Sequence, residues 1–150
     1  MKKHLLLLIA FITVLSSCKK YDVNKQNAAD DAAIQAYLKA NNISALKDES
    51  GLYYQILTAG GNTHPSLTSA ISVGYVGSEL DGSVFDQAGS TTLFLNDVIK
   101  GWQIGIPKIG IGGEIKLFVP SSLGYGNQAA GIIKANTVLV FDIRLFGFNG

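Results

Sequence analysis

One cysteine, Cys18, stands in the 150 residues, so no intramolecular disulfide can form. Histidine is almost as scarce: His4 lies in the leader and His64 in a turn before Pro65. No second histidine or thiol stands at metal-ligand spacing, which argues against a zinc enzyme, and no metal or cofactor is expected. Ser121-Ser122 has no base partner, so a hydrolase of the Ser-His-Asp kind is poorly supported. Gly110-Ile111-Gly112-Gly113 is not followed by Lys-Ser/Thr and does not make a phosphate loop. Glu79, Asp81 and Asp86 are the nearest acidic cluster, with Glu79 and Asp81 in a turn that faces solvent. Charge of either sign is also in short supply: 12 basic and 11 acidic side chains give a net charge of +1. Losing Lys2 and Lys3 with a leader would leave ten against eleven, no electrostatic case for nucleic acid. The apolar run from Leu5 to Leu15 falls short of the roughly 20 residues that span a bilayer. There is no internal repeat.

What is present starts with that run. Lys2 and Lys3 precede it and small residues follow it, the layout of an export signal. Leu15-Ser16-Ser17-Cys18 resembles the end of a bacterial lipoprotein signal, with Cys18 the residue to be lipidated. Lipid there would consume the lone thiol and leave the protein anchored rather than spanning. The resemblance implies a cell-envelope lipoprotein, facing the periplasm or the outer membrane. The expected organisation is a signal peptide over 1–17, a polar tether over 18–27, an accessory helical segment over 28–50 and a globular domain over 51–150.

Residues Ala28 to Ala40 predict a helix. Asn27 is the expected N-cap, Asp30 and Asp31 fall in the first turn, and Lys39 near the end has the right sign for the helix dipole. Ile34, Tyr37 and Leu38 share a face, and Asn41-Asn42 is a stop. Alone in water about 13 residues are marginal; docking on the domain or disorder is expected, dimerisation being the lesser alternative and a monomer the expected state. From Gly51 the apolar period becomes two. Strands are expected at Leu52–Leu57, Ala70–Val76, Thr91–Leu95, Glu114–Val119 and Val138–Phe146, with a tight reversal at Glu79-Leu80-Asp81-Gly82. Val98 to Ile104 fits one short helix. The sum is an α+β domain with an antiparallel sheet of about five strands.

The single tryptophan, Trp102, lies in Val98-Ile99-Lys100-Gly101-Trp102 with glycines on both sides. Such a residue either fills the core or floors a concave site that the glycines let backbone approach. Tyr75, Phe85, Phe94, Phe118 and Phe141 are each ordinary core candidates when taken singly. Tyr125, between Gly124 and Gly126, is better placed to present its hydroxyl.

Taken together, Tyr75-Val76-Gly77, Asp81-Gly82-Ser83-Val84-Phe85-Asp86 and Val98-Ile99-Lys100-Gly101-Trp102 resemble the FKBP-type peptidyl-prolyl cis/trans isomerases. The match continues through Leu123-Gly124-Tyr125-Gly126, Gly131-Ile132-Ile133 and Asn136 to Asp142, and covers about Leu52 to Phe148. It implies a five- to six-stranded antiparallel sheet wrapped around a short helix, with an aromatic pocket between them. Tyr75, Phe85, Asp86, Trp102, Tyr125 and Phe141 then occupy catalytic positions, and Val98, Ile99 and Ile133 substrate-binding ones. Trp102 becomes the floor, while the Tyr125 hydroxyl and the Ile133 N–H hold substrate carbonyls. The implied partners are proline-containing polypeptides, with macrolide inhibitors as further ligands. Departures lie at the rim: the loop between Leu95 and Val98 is short, Thr91 replaces an outer phenylalanine unless Phe94 substitutes, and Lys134-Ala135 replaces two prolines. A thinned rim also suits a rival, a binding or chaperone module of the same fold with weak or lost isomerase activity.

Overall fold

The computed structural model describes residues 20–150; the expected signal segment and Cys18 lie outside the described residues. Asp22 opens the first element, accepting hydrogen bonds from the Asn24 N–H at 3.0 Å and the Lys25 N–H at 3.2 Å. This caps helix α1, Val23–Ala40. The helix thus begins five residues before the expected Ala28, and Asp22 rather than Asn27 is its cap. Residues 23–27 are helical rather than tether, and Asp30 and Asp31 lie in mid-helix, with no acid in the first turn. The end is as expected: Asn41 N–H donates to Tyr37 O, Asn42 turns left-handed at φ 53°, and the Ile43 N–H reaches Leu38 O at 2.9 Å.

The strands follow as β1 (Leu46–Lys47), β2 (Tyr53–Thr58), β3 (Ala70–Glu79) and β4 (Val84–Phe94). Helix α2 (Lys100–Gly105) precedes β5 (Glu114–Val119) and β6 (Leu139–Asn149). All six strands form one antiparallel sheet in the order β1-β2-β5-β6-β3-β4. This is the α+β architecture of a sheet around a short helix. β1 was not foreseen, and the expected strand at Thr91–Leu95 is only the end of β4. The turn between β3 and β4 falls at the Asp-Gly pair, with Gly82 at φ 87° and the Ser83 N–H on Asp81 Oδ1 at 2.9 Å.

Period two sends alternate side chains to opposite faces of the sheet. Ile71 and Val73 of β3, Ile115, Leu117 and Val119 of β5, and Leu139, Phe141, Ile143 and Leu145 of β6 form one core with Trp102 of α2. Phe118 and Val140 point the other way, where Tyr53, Val138 and the Ile34–Leu38 stripe of α1 make a second cluster. Of the two outcomes expected for α1, docking or disorder, the structure shows docking. Charge reinforces it: Asp31 Oδ1 pairs with Lys47 Nζ at 2.7 Å and accepts the Tyr53 hydroxyl at 2.8 Å. The Lys47 bond leads the causes that hold the Asp31 carboxyl below its ordinary range.

Helix α2 lies against β5 because of two glycines one turn apart. A Cβ at Gly101 would stand 2.7 Å from Val119 Cγ1, and one at Gly105 would stand 2.6 Å from Leu117 Cδ2. At either distance the sheet side chain would have to shift, so glycine is what lets the helix approach this closely without displacement. Beyond α2, Lys108 Nζ pairs with Asp48 at 2.8 Å and sits 4.7 Å above the Tyr54 ring. Chiefly through Lys108, and then through Ser50, the Asp48 carboxyl is drawn down to about 2. No helix among the described residues is long and apolar enough to cross a membrane.

Candidate active site

The first turn of α2 drops Trp102 into the angle between helix and sheet, where it is 4 % exposed. The Tyr75 ring meets it edge-on at 5.0 Å and 81°, and the Phe141 ring at 5.3 Å and 88°. Phe85 continues the series, edge-on to Phe141 at 5.6 Å and 85°. Edge-to-face packing is the favoured aromatic geometry. Gly77 makes room for the last pair, since a Cβ there would stand 2.8 Å from the Phe85 ring and 2.9 Å from that of Phe141. These rings line a cavity of about 250 Å³ with Leu93, Val98, Ile99, Asp86, Asp97 and Tyr125.

Eight of the nine residues expected at the pocket are therefore brought together. Ile133 is not. It is buried in the core, and its N–H donates to Ala130 O at 2.9 Å while its own carbonyl accepts the Ala130 N–H at 2.9 Å. A bond closed within this tight turn takes away the carbonyl donor assigned to Ile133. The N–H of Ile99, at the start of α2, has no acceptor among the described residues, although the Ile99 carbonyl accepts from Trp102 and Gln103. Two pocket residues were missed. Leu93 faces inward in place of the outer aromatic, while Phe94 is 56 % exposed and does not line the cavity. Period two had already put Leu93 on the inner face of β4 with Thr91, and that signal was available. Asp97 closes the short turn Leu95–Asp97, and nothing in its neighbours marks it out.

The polar groups are few. The Tyr75 hydroxyl donates to Asp86 Oδ2 at 2.6 Å. Burial, then this bond and the Asp86 charge, push the Tyr75 phenol up to about 12, so it keeps its proton and orients Asp86. The Trp102 indole N–H is buried with no acceptor among the described residues. Tyr125, 42 % exposed, also has no hydroxyl partner among them. The pocket thus offers two unpaired donors, the Ile99 N–H and the Tyr125 hydroxyl, above an apolar floor and no nucleophile beside a base. Among the described residues no three His, Cys, Asp or Glu side chains gather as a metal site. A larger hollow of about 350 Å³ runs past Gly74, Tyr75, Val76, Glu114 and Arg144, but Phe85, Trp102 and Phe141 are not among its lining residues.

The family model for FKBP-type peptidyl-prolyl cis-trans isomerases matches residues 61–146. Over 137 residues the chain is 36 % identical to the FKBP-type peptidyl-prolyl cis-trans isomerase FkpA of Aeromonas hydrophila, covering 87 % of this chain and 51 % of that protein. Over 102 residues it is 35 % identical to FK506-binding protein 1 of Yarrowia lipolytica, covering 63 % of this chain and 94 % of that one. The crystal structure of FkpA from Escherichia coli superposes with a TM-score of 0.74 at 31 % identity, covering 84 % of this chain and 62 % of that chain. The chain spans about half the length of the FkpA relatives it matches, 51 % and 57 % for the first two. The match of fold, family model and relatives shows that the chain belongs to the FKBP-type peptidyl-prolyl cis-trans isomerase family.

Proposed function

We propose that this chain is a peptidyl-prolyl cis/trans isomerase that assists the folding of exported polypeptides. The observation that carries the proposal is an apolar aromatic pocket whose spare groups are hydrogen-bond donors. Rotation about a prolyl amide is opposed by about 20 kcal/mol, because resonance gives the C–N bond double-bond character. The planar amide is the more charge-separated state, so an apolar floor under the ring disfavours it relative to the twisted one. No proton transfer is needed, which suits a pocket without an acid–base pair. Backbone carbonyls on either side of the proline are the natural acceptors for Tyr125 Oη and the Ile99 N–H. Held at both, the chain is oriented for the turn. Tyr75 and Asp86 hold one wall, and Phe85, Val98 and Phe141 enclose the ring.

The division into domains follows the same proposal: signal peptide 1–17, tether from Cys18 to the cap of α1, accessory segment to residue 50 and isomerase domain 51–150. Lipid on Cys18 would hold the domain at a bacterial envelope membrane, and the intact mass of membrane-extracted protein tests it; an unmodified terminus at another residue refutes it. Because α1 spends its apolar stripe on the sheet, we expect a monomer, and light scattering decides. Macrolides would share the floor, with affinity reduced where Leu93 replaces an aromatic wall.

The rival is a chaperone module that grips unfolded chains without turning them. Phe94 and Val84, 56 % and 52 % exposed at the two ends of β4, favour it. A protease-coupled assay on a proline peptide separates the two. Acceleration over the spontaneous rate is expected; a rate equal to the spontaneous one, with Trp102 fluorescence still responding to the peptide, leaves the binding module.

A further inference from the structure

Helix α1 carries a carboxylate that its docking does not require. Ile34 and Leu38, four and eight residues after Asp30, already supply the apolar contact with the sheet. Asp30 is nevertheless 3 % exposed. A buried carboxylate is costly unless its oxygens are hydrogen-bonded, and here three donors meet it. Gln26 Nε2 reaches Oδ1 at 2.7 Å, while the Ser121 N–H and the Ser121 hydroxyl reach Oδ2 at 2.8 and 2.6 Å. Two bonds to one residue fix its place and its orientation.

What Ser121 then holds is the loop at the pocket mouth. Its carbonyl accepts both the Gly124 N–H at 3.0 Å and the Gly126 N–H at 2.7 Å, the two amides that bracket Tyr125. The Gly126 carbonyl in turn accepts the Asn136 N–H at 2.8 Å. Tyr125 itself is half-exposed and has no hydroxyl partner among the described residues, so its position is set by the backbone that carries it. We propose that Asp30 is a positioning residue: α1, on the face of the sheet away from the pocket, sets through Ser121 where the Tyr125 hydroxyl stands. The helix is then a working part of the site. This rests on the isomerase reading and on the role given there to Tyr125.

If Asp30 acts through the Tyr125 hydroxyl, its effect is bounded by the loss of that hydroxyl and disappears when the hydroxyl is gone. The test is a double-mutant cycle in the full chain: parent, Asp30→Asn, Tyr125→Phe and both together. kcat/KM on a proline peptide is measured below the melting transition of each, beside the melting temperature. Asp30→Asn should lower the melting temperature in both backgrounds. It should lower kcat/KM about two- to tenfold in the parent background, the range of one neutral hydrogen bond, and leave it unchanged in the Tyr125→Phe background. Equal fold losses in both backgrounds, or no loss in the parent background, overturn the proposal. Should Asp30→Asn fail to fold, Ser121→Ala removes the hydroxyl donor and keeps the N–H, and should give a smaller loss with the same dependence on Tyr125. Leu38→Ala loosens docking without touching the hydrogen bonds; it should lower the melting temperature and leave kcat/KM alone, and a loss like that of Asp30→Asn would assign the effect to docking in general. A parent chain that does not accelerate isomerisation overturns the isomerase reading instead. The positioning is then read in the same proteins from peptide binding by Trp102 fluorescence, with the same pattern expected and the same additive result against it.

Discussion

The two faces of this sheet meet a helix each, and only one of them is finished. Under α1 the apolar side chains Ile34, Leu38, Phe118, Val138 and Val140 fill the space, and the carboxylates of Asp30 and Asp31 are met by donors. Under α2 the rings of Tyr75, Phe85, Trp102 and Phe141 stand edge to face around a cavity of about 250 Å³, with donors left over. Both faces bury apolar surface, so burial alone does not mark a site. The difference lies in the helices: 18 residues with an apolar stripe cover a sheet, whereas six residues that meet β5 through Gly101 and Gly105 are too short to cover one. What is left uncovered is the pocket.

Substitutions on the two faces should therefore separate stability from activity. Phe118→Ala empties a fully buried site on the α1 face and should cost about 3–5 kcal/mol. Denaturant unfolding reads that loss, while kcat/KM measured well below the transition should stay near that of the parent. Gly101→Ala acts on the other face. Its Cβ would press on Val119, costing about 1–3 kcal/mol. By displacing α2 and Trp102, it should also reduce kcat/KM by about tenfold or more. If both substitutions lowered activity in proportion to stability, the distinction between the faces would be lost.

Smaller effects sharpen it. Tyr125→Phe removes a hydroxyl with no partner among the described residues, so the melting temperature should not move. Peptide binding should weaken by about 0.5–1.5 kcal/mol, read by titration of Trp102 fluorescence. Binding as tight as the parent's would take Tyr125 out of the site. The smallest effect is at Asp48, which does not line the pocket. Its carboxyl is drawn from 3.8 down to about 2 by Lys108 and Ser50. A depressed acid stabilises the fold above its unfolded value and loses that contribution as pH falls through its folded one. Melting temperatures followed downward from pH 3.8 through about 2 should fall less steeply in Asp48→Asn than in the parent, with kcat/KM unchanged at neutral pH.

How far the sequence was legible follows the same division. Regular alternation made β3 and β5 plain, and glycines beside Trp102 announced a close approach of α2. The first half of β4 was missed because Gln87-Ala88-Gly89-Ser90 carries no apolar alternation and its pairing with β3 is interrupted twice. The start of α1 was misplaced because both Asp22 and Asn27 are good caps, and local pattern does not choose between them. Asp30 was consequently taken as a partner of the helix dipole, although two of its three bonds come from a residue 91 positions along the chain. Ile133 and Ile99 are both isoleucines beside apolar neighbours. Which of the two N–H groups is already spent depends on the turn at Ala130, and side-chain identity does not encode that.

The central claim is that the pocket under α2 turns prolyl bonds by an apolar floor and hydrogen bonds, without an acid or a base. The most direct measurement is the cis–trans exchange rate of a proline peptide, by NMR exchange spectroscopy, with catalytic amounts of the full chain between about pH 6 and 8, where a histidine base would titrate. His64 is not among the residues lining the pocket, and the Tyr75 phenol, pushed up to about 12, keeps its proton throughout. The account predicts exchange faster than the spontaneous rate and level across that range. Exchange no faster than the spontaneous rate, or a rate that rises and falls with a titrating group in that window, would contradict it.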